Sequence, residues 1–156
     1  MRTLGKPLLS LSILAAPLFA GALLLQVENP SANPEAVAKH ALLVVQVAAC
    51  RSPEKTTVTA SAEGVMNGTR NSIPLKLMPL SKPGTFALAR TWPEQGIWAV
   101  KLVATNPDYK DYATAVVVPL DKNSVQWAAV KQYFHIPADA EVDSVLNTEQ
   151  AALARQ

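Results

Sequence analysis

Asn67-Gly68 is the feature that most limits what this chain can fold into, because it is a dipeptide that tolerates positive φ at both central positions of a type I′ hairpin turn. Placing it in such a turn pairs Met66 with Thr69, Ala62 with Ile73, Ala60 with Leu75 and Val58 with Leu77. Those apolar pairs from Ala62 outward share one face. The other face receives Glu63 with Ser72, Ser61 with Pro74, Thr59 with Lys76 and Thr57 with Met78. One turn therefore sorts both strands into a core side and a solvent side, as a half-buried antiparallel pair requires. Pro74 and Pro79 mark the second strand as an edge or as interrupted, since proline donates nothing to a ladder.

Further strands follow the same logic. Ala41 to Ala49 is short and rich in Leu and Val, and Val47-Ala48-Ala49-Cys50 reads as the end of a buried strand, despite a superficial likeness to a lipobox. Thr85 to Trp92 offers Phe86 and Leu88 as an inward pair, and Ile97 to Thr105 offers Trp98, Val100, Leu102 and Ala104, with Lys101 facing out. A direct hairpin between these two strands would pair Trp92 with Ile97 and set Phe86 opposite Val103, a mismatch of faces. They are therefore expected in opposite sheets. Ala113 to Leu120 is almost continuously apolar and reads as a central strand. Six strands over residues 41–120 predict a mainly β chain, an immunoglobulin-like antiparallel β-sandwich. Residues 121–156 form a C-terminal extension: 121–136 fits strand or helix, and Val142, Val145, Leu146, Glu149 and Leu153 predict a short helix near 139–153, with Asp139, Glu141 and Asp143 at its start.

The N-terminus supplies an address. Residues 7–25 carry no charge, Arg2 and Lys6 precede them, and Ala20-Gly21-Ala22 gives a small-residue cleavage pattern. This is the layout of a secretory signal peptide, 1–22, with a cleavable signal helix and a cut after Ala22. Residues 23–40, rich in Pro, Asn and Ala, read as a linker. The expected location is periplasmic or secreted. The alternative is a membrane-anchored chain, held through residues 7–25, whose length approaches that of a transmembrane span. Cleavage removes both excess cations, so a formal charge of +2 becomes twelve cations against twelve anions. A neutral domain offers no electrostatic footprint for nucleic acid.

Chemistry-bearing residues are few. His40, His135, Cys50, Met66 and Met78 are the soft-ligand candidates for copper, but in the hairpin register the two methionines lie about 30 Å apart on opposite faces. No metal or cofactor is expected. Cys50 with His40 or His135 is a formal nucleophile and base, and Asp108, Asp111 and Asp121 are formal acids, yet each reads equally well as core or turn. No enzyme activity is expected. The single cysteine cannot form an internal disulfide, and in an oxidising compartment it should be buried or paired with a partner. Asp108, Tyr109, Lys110, Asp111 and Tyr112 form the candidate recognition loop, since exposed aromatics beside charges suit protein or glycan contacts.

Residues 83–105, PGTFALARTWPEQGIWAVKLVAT, resemble the "PG-aromatic … P-x-x-G-x-W" segment of YtkA-like exported bacterial β-sandwich domains. The resemblance covers about twenty residues. It implies an immunoglobulin-like fold in a bacterial envelope, in a group of which some members are associated with copper or respiratory assembly. The Met and His residues that would carry metal in such relatives have no clear match here. The function expected is an exported non-enzymatic binding or accessory module with an unknown envelope protein or glycan as partner. Copper handling in the periplasm and an envelope enzyme are the alternatives.

Overall fold

The computed structural model describes residues 23–155 apart from Asp111 and Asn123, so the signal segment 1–22 and its cleavage site lie outside the described residues. Two antiparallel sheets face each other. One has the order β1 (Leu23–Glu28), β2 (Ala41–Ala49), β6 (Thr85–Ala89), β5 (Met78–Pro79). The other runs β10 (Lys131–Tyr133), β8 (Ala113–Asp121), β7 (Ile97–Thr105), β3 (Thr57–Met66), β4 (Thr69–Leu75), with β9 (Ser124–Val125) also paired to β8. The described residues form a β-sandwich with two α-helices, α1 (Pro34–Ala38) and α2 (Asp139–Leu153). No described helix is long and apolar enough to cross a membrane.

The hairpin register holds from Met66–Thr69 through Ala60–Leu75, and Asn67 and Gly68 take φ of 51° and 75° as a type I′ turn demands. It then stops. The expected pairs Val58–Leu77 and Thr57–Met78 do not form: Val58 pairs with Ala104 on its other side, while Met78 crosses to the opposite sheet and faces Ala87. Pro74 stays in the ladder opposite Ser61, and Pro79 pairs with Phe86 in the other sheet; both sit on edge strands, where a residue with no N–H to donate is tolerated. β6 and β7 lie in opposite sheets, as the mismatch of their faces requires. Leu43, Val45 and Leu88 from one sheet meet Ala60, Ala62, Trp98, Val100, Leu102, Val116 and Val118 from the other in a single core.

Residues 23–40 are not a linker. Leu23 and Leu25 are 0% and 1% exposed and β1 pairs with β2 from Leu23–Ala49 to Glu28–Val44. The alternation Leu23, Leu25, Val27 has the period of two that a half-buried strand shows, hidden because Leu23 to Leu25 read on from the uncharged run before them. The prolines and asparagines after β1 build short helical turns: Asn29 Oδ1 accepts from Ser31 N, and Asn33 Oδ1 accepts from Ala36 N at 3.1 Å with Pro34 at the first position of α1. α1 lays Ala36 against Val44, Leu80 and Ala87 on the outer face of its sheet. The folded unit thus extends beyond residues 41–120 at both ends, because β9 and β10 complete the second sheet.

α2 forms where the helical period predicted it and packs Val142, Val145 and Leu146 onto Ala99 and Val117. The face of β3 and β7 that carries Glu63 and Lys101 is therefore covered, not solvated. Gly64 sits opposite Trp98 in the β3–β7 ladder, and a Cβ there would overlap the indole and lie 2.6 Å from the Ile97 carbonyl. Gly64→Ala is expected to cost about 2 kcal/mol through overpacking, read as a lowered urea midpoint with unchanged slope. An unshifted midpoint would place Trp98 elsewhere.

Candidate functional site

The ends of the sandwich differ. At one, Trp98 pairs with Leu120, Trp92 follows β6, and Trp127 lies beside Pro119, whose carbonyl accepts from Gln126 N. At the other, Ala49 and Leu23 close the first sheet, Thr105 and Ala113 close the second, and the loop 106–112 crosses between them.

That loop is fastened from below by Asn106, a buried side chain. Its Nδ2 donates to the carbonyls of Arg51 (3.2 Å) and Ser52 (2.9 Å) and to Thr56 Oγ1 (2.9 Å), and its Oδ1 accepts from Asp108 N (2.9 Å). Asp108 accepts from Ser52 Oγ and from Lys55 Nζ at 3.2 Å, and these two partners, the serine first, hold its carboxyl below the usual range. Tyr109 Oη accepts from Arg51 N at 2.9 Å. Asp108 and Tyr109 therefore anchor the loop, and only part of the predicted recognition segment is free. Asp111 lies outside the described residues.

The rim of this end is aromatic. The Tyr109 and Tyr112 rings lie 6.4 Å apart, and Tyr112 stacks with Phe134 at 6.5 Å and 28°. Together with Pro107, Lys110, His135 and Ile136 the tyrosines border a mostly apolar cleft of about 620 Å³. Phe134 and Ile136 are 57% and 59% exposed. The sequence reading missed both, since they lie in the stretch 121–136 whose conformation it left open; a Phe and an Ile flanking a His just before a predicted helix was the available signal.

His135 Nε2 lies 3.1 Å from both carboxylate oxygens of Glu141, which also accepts from Ala138 N. The amide first, then the imidazole, holds the Glu141 carboxyl below its usual range. Cys50 is exposed, which corrects the expectation of a buried thiol: the chain leaves the sheet after Ala49. His40 takes φ of 52° in the turn between α1 and β2. Met78 sits in the sheet opposite Met66, so the hairpin argument for their separation no longer applies, though they lie in different sheets. Among the described residues, no three His, Cys, Asp or Glu side chains converge as a metal site needs.

A second polar cluster lies under α2. Glu63, 2% exposed, accepts from Ser61 and Ser72 hydroxyls and pairs with Arg70 Nη1 at 2.9 Å and Lys101 Nζ at 3.2 Å, while Arg70 Nε reaches Asp143 of α2 at 2.7 Å. Glu149, on the buried stripe of the same helix, has its carboxyl pushed up by burial and by the negative charge of Asp121. A raised folded-state pKa gives stability that is present below the unfolded value and lost as pH rises through the folded one. Glu149→Gln is therefore expected to raise the melting temperature at pH 7 and to have no effect below about pH 4. Equal gains at both pH values would show that its charge is not the cause.

No family model, curated protein or solved structure matches this chain.

Proposed function

We propose that this protein is an exported, non-enzymatic binding or accessory module of the bacterial envelope, which engages its partner through the aromatic end of the sandwich. The observation that carries this reading is the row Tyr109–Tyr112–Phe134, in which two half-buried tyrosines on a loop pinned by Asn106 meet an exposed Phe134 arriving from β10. Exposed apolar clusters on soluble domains mark interaction surfaces, and a loop held by a rigid scaffold presents them at low entropic cost. The export layout of residues 1–22 and the likeness of residues 83–105 to YtkA-like domains support the envelope as its place.

The test is affinity capture from an envelope fraction with the wild-type chain and with Y112A/F134A. Phe134 is exposed, whereas Tyr112 is half-buried against the core, so the single variant Phe134→Ala, which should keep the wild-type melting temperature, is run beside the double variant. Loss of the captured species in the variants is the expected outcome. Equal capture by all three chains rejects the aromatic end as the binding surface.

A further inference from the structure

Leu23, at the C-terminal end of the uncharged run, and the aromatic cleft lie at the same end of the sandwich. Leu23 is already the first residue of β1 and pairs with Ala49, two residues before Arg51, whose amide binds Tyr109. Tyr133 pairs with Ala115 near the start of β8, so Phe134 and Ile136 emerge at this end as well. The uncharged run therefore leads straight into Leu23, at the end of the sandwich that carries Tyr112 and exposes Phe134 and Ile136.

We infer that this end rests on a lipid bilayer, held there by residues 7–22 remaining attached, so that the envelope component bound by the cleft is the membrane interface itself. The inference rests on the aromatic end being the binding surface and names its partner. β1 takes Leu23 to Leu25 out of the uncharged stretch, leaving sixteen residues, 7–22. Sixteen uncharged residues fall short of the roughly 20 that a spanning segment needs. A short span draws its flanking groups toward the interface. On one flank stand Arg2 and Lys6, which suit the cytoplasmic side. On the other stands the sandwich end, where tyrosines suit the headgroup layer and Phe134 and Ile136 reach past it. Lys110 on the same rim can meet anionic headgroups. A freely soluble product would leave those apolar side chains in water.

The test uses the full chain. All three native tryptophans lie at the opposite end, so a reporter near the cleft reads that end alone. F134W and, separately, I136W are reconstituted into phosphatidylethanolamine and phosphatidylglycerol vesicles whose acyl chains carry bromine close to the headgroup. Wild-type emission, dominated by its own tryptophans, sets the baseline and reports folding. The expected result is co-flotation with vesicles, with the added emission of each reporter blue-shifted and lost to bromine quenching while the native emission persists. Co-flotation with no quenching beyond wild type overturns the inference, as does failure to co-float. So does recovery from cells of a soluble chain beginning at Leu23. If the reporters stay unquenched while Y112A/F134A still loses an envelope protein or glycan, the binding surface stands and only the lipid assignment falls. If neither result appears, both fall.

Discussion

A chain beginning at Asn29 is expected not to fold, although it retains every strand that pairs around the Asn67-Gly68 hairpin. The missing strand β1 carries Leu23 and Leu25, both in the core between the sheets and packed across toward β7 and β8. Truncating one buried leucine to alanine costs about 2–5 kcal/mol, and removing both side chains with their backbone ladder approaches the 5–15 kcal/mol that holds a whole domain. The loss also strips β2 of its neighbour and opens a long apolar edge to other chains. Leu25→Ala gives the graded version: a loss of about 3 kcal/mol, read as a melting midpoint lower by roughly 10 °C. Outward-facing Gln26→Ala should move the midpoint little. If the Asn29 chain melts cooperatively at the full-length temperature, β1 is a detachable tail and the linker reading returns.

The hairpin and the faces of β7 were legible because their information is local. A turn dipeptide sets a register, and alternation then says which side is buried. The assignment of β6 and β7 to different sheets came from the same parity, since residues that cannot share a face cannot pair. β1 was hidden for a physical reason: Leu23-Leu24-Leu25 serves as well for the end of an export signal as for the start of a strand, and only the ladder to Ala49 separates the two. The departure of Met78 was signalled by Pro79, but where the chain went depended on the free edge of β6. The site was half legible. Tyr109 and Tyr112 stood out, yet their neighbours Phe134 and Ile136 arrive from a strand of three residues whose existence depends on the open edge of β8. The buried role of Asn106 was invisible because a turn asparagine and a structural clasp look alike until the loop 50–56 is placed beside it.

Glu63 shows the largest effect expected from one charged side chain. The sequence placed it opposite Ser72 on a solvent face, and the pairing is right, but α2 closes over that face. Burial alone would push its carboxyl up; hydrogen bonds from Ser61 and Ser72 and the nearby Lys101 outweigh this and hold it below the usual range. A depressed folded-state pKa gives stability that is present above the unfolded value, near 4.3, and is lost as pH falls through the folded value. Glu63→Ala removes the shared partner of Arg70 and Lys101, which are 31% and 21% exposed at the side chain and so keep some water. The expected cost at pH 7 is about 3 kcal/mol, toward the lower end for breaking a buried ion pair. Glu63→Gln keeps the volume and loses the charge, and its stability curve should run flatter than wild type below about pH 4, where protonation makes the two alike. Because Arg70 also binds Asp143, the same substitutions should loosen α2, seen as faster amide exchange at Val145 and Leu146 than in the strands beneath. Parallel pH curves for wild type and Glu63→Gln, with α2 protected in both, would mean that apolar packing through Val142, Val145 and Leu146 holds the helix and that the ionic cluster is passive.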